Sequence, residues 1–218
     1  MSFYTSLSGL KAAQTDLGAV SNNLANVGST GFKKSRAQFG DLFASSPTQS
    51  TKMIAGQGVR LNGVIQQFTQ GTLESSDKTL DLAIAGEGFF VVKGAAPRQE
   101  VTYTRNGAFS VNANREVVDT IGSKLQLLPV DADGNATSTA LADATDLVLP
   151  LNSPADPSAT LANVSIGIDG LVTATYSDGT SEKLGKVAMA SFTAVEGLRP
   201  VGDAHWQSTG DSGMPLIN

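Results

Sequence analysis

Residues 3–27 read FYTSLSGLKAAQTDLGAVSNNLANV, and apolar side chains recur there every seven residues, with a second apolar position three residues later. We call these positions the apolar seam, and they are Phe3, Leu10, Ala13, Leu17, Val20, Leu24 and Val27. The spacing is that of the a and d positions of a coiled coil, so it predicts an α-helix with a narrow apolar stripe. Gly28 and Gly31 follow directly and predict the end of that helix.

The width of the seam bears on what the helix packs against. A helix that lies on the core of its own domain usually carries a wider stripe, and this remains the alternative interpretation. Gly9, Gly18 and Ser8 thin the helix surface, which permits close approach of a partner but lowers intrinsic helicity. Because such a helix is marginal alone in water, we expect it to need a partner.

Residues 28–71 are polar and glycine-rich, with few apolar residues to form a core. They predict an extended arm rather than a packed domain, because sparse apolar burial does not offset the entropy lost on ordering the chain. Local strand character is strongest in GVRLNGVIQQFTQG, residues 58–71. The sequence therefore predicts an assembly helix over residues 1–27 followed by this arm.

Beyond residue 71 the pattern becomes one of short apolar or alternating runs separated by turn residues, which predicts strands. Asn106-Gly107 predicts a hairpin, and residues 142–163, with three prolines, predict a linker. The predicted parts are a discontinuous β domain (72–141 and 164–206), that linker, and an irregular tail (207–218). The fold class is mainly β, with an amino-terminal coiled-coil-type helix and an extended arm.

Composition excludes several kinds of chemistry. The chain has no cysteine and one histidine, His205, which argues against thiolate catalysis and against zinc, copper or iron sites. Fifteen basic and twenty acidic residues give a net charge of −5 without a basic stripe, so nucleic acid is not an expected partner. No apolar run is long enough for a membrane span, and the first residues do not resemble a cleavable signal peptide.

Few motifs suggest a chemical site. Residues 131–135 (DADGN) imitate the start of a calcium loop, but the glycine comes early and a strand-end turn is the favoured interpretation. Gly86-Glu87-Gly88 is a fragment of a dinucleotide motif and is interpreted as a bend. A large anchor under a loop is the favoured interpretation of Trp206. Its position beside His205 also suggests a sugar-stacking surface, so a β-rich carbohydrate-binding module is a competing hypothesis. We expect no cofactor, no metal and no catalytic residue.

Several blocks nevertheless resemble one known family. They are SNNLAN (21–26), GFK (31–33), DLAIAGEGFF (81–90), YTRNGAF (103–109), YSDG (176–179) and GLRPVG (197–202). In this order, the blocks are similar to those of the flagellar rod and hook family. LPVDADGN (128–135) and the late GLRPVGD block resemble hook subunits more than distal rod subunits.

The resemblance implies a structural subunit of the bacterial flagellum, exported by the type III apparatus without a cleavable signal. Its expected partners are copies of itself in a hollow helical tube and the neighbouring rod, hook-cap and junction proteins. A hook subunit would build a flexible joint that passes torque from rod to filament; a distal rod subunit of the basal body is the alternative. The expected assembly interface is the apolar seam with Asn22, Asn23, Asn26, Phe32 and Lys33.

Two elements implied by the resemblance have no counterpart in the sequence. Family members end in a second heptad helix that pairs with the first, and hook subunits carry an outer β domain where this chain has only residues 142–163. A truncated chain, an edited chain and an unusually small member all fit this pattern. We therefore expect the first helix to be exposed or held only by neighbouring copies.

Overall fold

The computed structural model describes residues 2–43, 56–97, 99–154 and 156–218. Within these ranges the chain is mostly β, with one long α-helix at the amino terminus, so the predicted fold class is confirmed. The chain divides into two compact units, Met1–Thr69 and Gln70–Asn218, which we call unit 1 and unit 2.

Unit 1 consists of a helix and an antiparallel pair of strands. The elements are α1 (Ser2–Ala25), β1 (Ser35–Phe43) and β2 (Gly56–Gln66). Ser35 pairs with Gln66 at one end and Phe43 with Gly56 at the other, so the predicted arm contains a two-stranded sheet, which we call the arm sheet. The register shifts between Gln38 and Phe39, where the opposite strand carries one extra residue.

Unit 2 is built around one branched antiparallel sheet. Its strands are β3 (Phe89–Lys93), β4 (Val101–Thr104), β5 (Ser110–Val111), β6 (Val117–Val118), β7 (Lys124–Leu128), β8 (Thr145–Asp146), β9 (Leu161–Ile166), β10 (Leu171–Tyr176), β11 (Ser181–Val187), β12 (Met189–Ser191), β13 (Arg199–Gly202), β14 (His205–Gln207) and β15 (Leu216–Ile217). The main path runs β13-β14-β4-β3-β7-β11-β10-β9. Short 3-10 turns lie at Leu141–Asp143 and Val195–Gly197.

Strand β3 lies at the centre of the unit and is buried on both faces. Its uninterrupted apolar run FFVV is typical of such a strand, because successive side chains point to opposite sides. Phe90 and Val92 enter the main hydrophobic core. On the other face, the Phe89 ring meets the edge of Trp206 with 5.6 Å between centroids.

Two segments of unit 2 differ from their predicted roles. Residues 142–163 are part of the core: Leu147 and Leu149 are buried, and the Leu147 N–H donates to the Leu125 carbonyl at 2.9 Å. The prolines limit this segment to short β pairings, such as the isolated bridges at Val148 and Asn152. Its apolar residues Leu147 and Leu149 are nevertheless buried. The tail also returns to the sheet, since β15 pairs with β12 and Ile217 is buried.

The predicted hairpin at Asn106-Gly107 does not form. Strand β4 pairs with β3 and β14, whereas β5 pairs with β6. Gly107 instead lies against the backbone of Leu82, whose N–H donates to the Gly107 carbonyl at 2.9 Å. A dipeptide that favours a tight turn has here been used for close backbone approach, a role that glycine also serves.

We expect Gly107→Ala to destabilise unit 2 by about 1–3 kcal/mol, because a Cβ atom would overlap the Leu82 carbonyl. Gly210→Ala is the matched control, since a Cβ atom there meets nothing within 4 Å. Urea unfolding monitored by the fluorescence of Trp206 measures both. Equal midpoints for the two variants would contradict the close approach.

Candidate assembly interface

The apolar seam lies along one exposed side of α1. Its large side chains are between 54% and 80% exposed, with Val20 the least and Val27 the most. At about 3.6 residues per turn, the heptad positions share one helix face, so the exposure forms a continuous stripe. Isolated exposed apolar residues are ordinary, but a stripe of this length is typical of a protein contact surface.

The opposite side of α1 packs on the arm sheet through small residues. Ser8, Ala12, Thr15, Ala19 and Asn23 recur three or four residues apart and are all at least partly buried. The Ser8 hydroxyl accepts the Val59 N–H at 3.3 Å and donates to the Thr5 carbonyl at 2.7 Å. This in-chain contact corrects the expectation that only neighbouring copies hold the helix: α1 has an in-chain partner, but on the face opposite the seam.

Close packing between helix and sheet depends on the absence of side-chain bulk. Gly58 has φ near +108°, and a Cβ atom there would overlap the Ser8 hydroxyl. The spacing of small residues on α1 was visible in the sequence. It carried no hydrophobic signal, however, and of these residues only Ser8 was predicted to permit close approach of a partner.

The asparagine-rich end of α1 has a structural role within unit 1. The Asn23 side chain accepts the Ser35 N–H and donates to the Ser35 carbonyl, both at 2.8 Å, so it acts as one more β-strand partner at the start of β1. Asn26 Nδ2 donates at 2.9 Å to the Asn22 carbonyl, which also accepts the Asn26 N–H at 3.1 Å, so the last turn of the helix is held twice. These contacts occupy Asn23 and Asn26, whereas the Asn22 side chain is exposed.

Lys33 and Phe32 are less exposed than the seam residues. Lys33 is buried, and its ammonium donates to the Thr69 carbonyl at 2.8 Å, which links the two ends of the arm. Phe32 is partly buried in the turn after α1, where its N–H donates to the Ser29 carbonyl. Within the expected interface, the seam residues and Asn22 are therefore exposed, while Asn23, Asn26, Phe32 and Lys33 are at least partly occupied inside unit 1.

The arm sheet also exposes apolar side chains. They are Phe39, Leu42, Phe43, Leu61 and Val64, which are 37% to 61% exposed. Phe39 and Leu61 are directly opposite each other across the two strands, so they form one cross-strand apolar pair. Unit 1 thus exposes apolar side chains on both its helix and its sheet.

Unit 2 offers no sugar-binding platform at Trp206. The indole is 2% exposed and packs against Phe89, so its faces are unavailable for stacking on a carbohydrate. His205 beside it is also buried, at 1% exposure. The competing hypothesis of a carbohydrate-binding module depended on an accessible Trp206 and is wrong in that respect.

The remaining chemical motifs are turns. Asp131 Oδ1 accepts the N–H groups of Asp133 at 3.1 Å and Asn135 at 2.8 Å, and these backbone donors, led by that of Asn135, lower the pKa of Asp131. Gly86 and Gly88 both have positive φ, as expected for the predicted bend. Across the described ranges, no three acidic or histidine side chains group as a metal site, and no helix is long and apolar enough to cross a membrane.

Comparison with known proteins identifies the family. A family model for the flagellar hook protein FlgE/F/G D1 domain matches residues 83–174, and one for the flagella basal body rod protein matches residues 3–33. The flagellar basal-body rod protein FlgG of Buchnera aphidicola subsp. Schizaphis graminum is 31% identical over 99% of this chain and 76% of its own length. The chain belongs to the flagellar rod and hook family.

Hook proteins are matched over a smaller share of their own length. The flagellar hook protein FlgE of Salmonella typhimurium is 36% identical over 78% of this chain, but that match spans only 40% of the hook protein. The crystal structure of the Helicobacter pylori flagellar hook protein FlgE2 is 15% identical, with a TM-score of 0.25 over 54% of this chain and 34% of that one.

We expect Asn23→Ala to loosen the arm sheet from α1, because both backbone groups of Ser35 lose their partner at a cost of about 1–3 kcal/mol. Amide hydrogen exchange at Ser35 should accelerate. Asn22→Ala is the control, since it removes a neighbouring exposed amide at the same helix end. Unchanged protection of Ser35 in Asn23→Ala would contradict this role.

Proposed function

We propose that this chain is a mechanical building block of the flagellar axis that polymerises through the apolar seam, and that it builds the hook. The observation that carries the proposal is the exposure of the seam on a helix whose opposite face is already occupied by the arm sheet. Such a helix cannot cover its apolar stripe by turning over, because turning would expose the buried contacts on the other side.

The energy available from the seam is large enough to drive assembly. Burying a leucine or valine side chain contributes roughly 1.5–3 kcal/mol, and the seam has several such side chains along a helix of 24 residues, about 36 Å long. A narrow a/d stripe is complementary to another helix of similar pattern. Helical neighbours therefore fit the seam, supplied by other copies or by the adjacent rod, hook-cap and junction proteins.

A mechanical role requires no catalytic chemistry. Relatives of this chain carry the names of rod and hook proteins, which are structural. The candidate motifs of unit 2 are occupied by their own backbone contacts, as at Asp131, or are buried, as at Trp206. Function in such a protein lies in surfaces and in their geometry.

The hook assignment is supported by sequence identity, which reaches 36% over 170 residues with a hook protein against 32% over 222 residues with a rod protein. The distal rod is the second candidate, favoured by length, because this chain spans 76% of the rod relative and only 40% of the hook relative. The two differ physically: a hook bends because its contacts slide between similar packings, whereas a rod must stay straight.

The seam is tested by Leu17→Glu, which places a charge in the middle of the stripe while keeping a good helix former. Concentrated wild-type protein should form tubes or fibres in negative-stain electron microscopy, and the variant should stay dispersed. Gln14→Glu is the control, since it adds the same charge to the same helix outside the seam. Assembly of Leu17→Glu, or a wild-type chain that remains monomeric at every concentration, would contradict polymerisation through the seam.

The shape of the assemblies separates the two candidates. If the chain builds a hook, wild-type tubes should show a broad distribution of curvature in the same micrographs. Uniformly straight tubes would overturn the hook assignment and support the distal rod, while leaving polymerisation through the seam intact.

A further inference from the structure

The buried side chain of His205 has a hydrogen-bond acceptor at each ring nitrogen, and the proposed function gives it no role. Its Nε2 lies 2.7 Å from Asp119 Oδ2, and its Nδ1 lies 2.8 Å from the Asp203 carbonyl oxygen. Both His205 and Asp119 side chains are 1% exposed. The contact joins β14 to the turn after β6, residues that are 86 positions apart in the sequence.

The partners of the ring determine where its protons lie. A carbonyl oxygen can only accept, so Nδ1 must carry a hydrogen. Asp119 Oδ1 accepts the N–H groups of Ile121 at 3.0 Å and Ser123 at 2.8 Å, so Oδ2 is the oxygen that faces the ring. A carboxylate oxygen accepts a hydrogen bond, so Nε2 donates to it, and a ring that donates from both nitrogens is an imidazolium.

The same ring holds a strained turn. Asp203 and Ala204 connect β13 to β14 with φ of 50° and 57°, a left-handed conformation that L-residues other than glycine adopt at a cost. Two side chains fasten this turn: His205 donates to the Asp203 carbonyl, and the Thr104 hydroxyl donates to the Ala204 carbonyl at 2.8 Å. One of these two fastenings depends on the position of the histidine ring.

We propose that His205 and Asp119 form a buried imidazolium–carboxylate pair that latches the strained turn at Asp203 and Ala204, and that rising pH releases the latch. The inference rests on unit 2 alone and is independent of the proposed function. Loss of the Nε2 proton would leave a lone pair facing the Asp119 carboxylate, which repels it. The hydrogen bond to Asp119 that holds the ring beside the Asp203 carbonyl would then be lost.

Charged groups around the ring all favour its protonated form. Asp119 faces it from the turn after β6 and Asp203 from the β13–β14 turn, while Glu100, from the chain before β4, lines the cavity beside the ring. A cavity of about 190 Å³ adjoins the ring and is lined by Glu100, Thr102, Ile121, Ser123 and Val201. This cavity is large enough for water, so it provides a route by which the proton can leave.

The pKa of His205 follows from these contacts. Burial alone lowers it, but the hydrogen bonds to Asp119 and Asp203 outweigh burial and raise the pKa above the ordinary 6.5. Because the pKa is higher in the folded chain than in the unfolded one, the stabilisation is fully present below about pH 6.5. It is lost as the pH rises through the pKa of the folded state.

Nuclear magnetic resonance of the imidazole tests the proton arrangement directly, because His205 is the only histidine in the chain. At pH 6 both ring nitrogens should show the shifts of protonated nitrogen, and the ring should titrate above pH 6.5. The amides of Asp203 and Ala204 should shift with the same midpoint. A ring that titrates at or below pH 6.5 would overturn the proposal.

Asp119→Asn tests the latch, since the amide keeps an acceptor for Ile121 and Ser123 but offers the ring no charge. The wild-type urea midpoint should fall as the pH rises above 6.5, and the variant should lose this fall. Asp169→Asn is the control: it changes the same residue type in an exposed turn, where Asp169 Oδ1 accepts the Leu171 N–H. A variant that retains the wild-type pH dependence would overturn the proposal, and should Asp119→Asn not fold, the titration of the wild-type ring decides alone.

Discussion

Helix α1 has two unlike sides, and the organisation of unit 1 depends on how its residues are divided between them. One side is lined by small residues, of which Ala19 is buried against the arm sheet; the other carries the apolar seam. A helix alone in water is marginal, so the sheet contact both orders α1 and fixes which side remains outward. Asn23 completes this arrangement by joining the last turns of the helix to the first residue of β1. The asparagine-rich motif is therefore part of the scaffold that presents the seam, rather than part of the seam.

Unit 2 has a densely packed apolar core, and burial in that core overrides local turn preferences such as that of Asn106-Gly107. Strand β3 carries four consecutive buried residues because both of its faces are covered. Residues 142–163 and the tail join this core even though prolines and irregular composition predicted otherwise, since each contributes apolar side chains that the sheet can bury. Strain is tolerated where long-range contacts hold it, as at the turn of Asp203 and Ala204.

Taken together, the two units suit a construction protein. Polar side chains form hydrogen bonds within each unit, as between Lys33 and Thr69 and between His205 and Asp119. The described part of unit 1 exposes large apolar side chains. Non-directional apolar contacts tolerate small shifts between neighbours better than hydrogen bonds do, because they do not require a fixed donor–acceptor geometry. That property agrees with the proposal that the chain polymerises through the apolar seam.

The sequence by itself determined the helix, its seam, the β class of the rest and the family. Heptad spacing, alternating apolar runs and motif blocks in the family's order are local patterns, and they can be recognised without knowing which residues are in contact. It also predicted the bend at Gly86 and Gly88 and the turn at Asp131. Only the tertiary structure decided that Asn23 and Lys33 act within unit 1, that Gly107 serves close approach rather than a hairpin, and that His205 meets Asp119. Each of these depends on which residues distant in sequence become neighbours, and a side chain that can serve a surface, a cap or a core acquires one role only when its partner is in place.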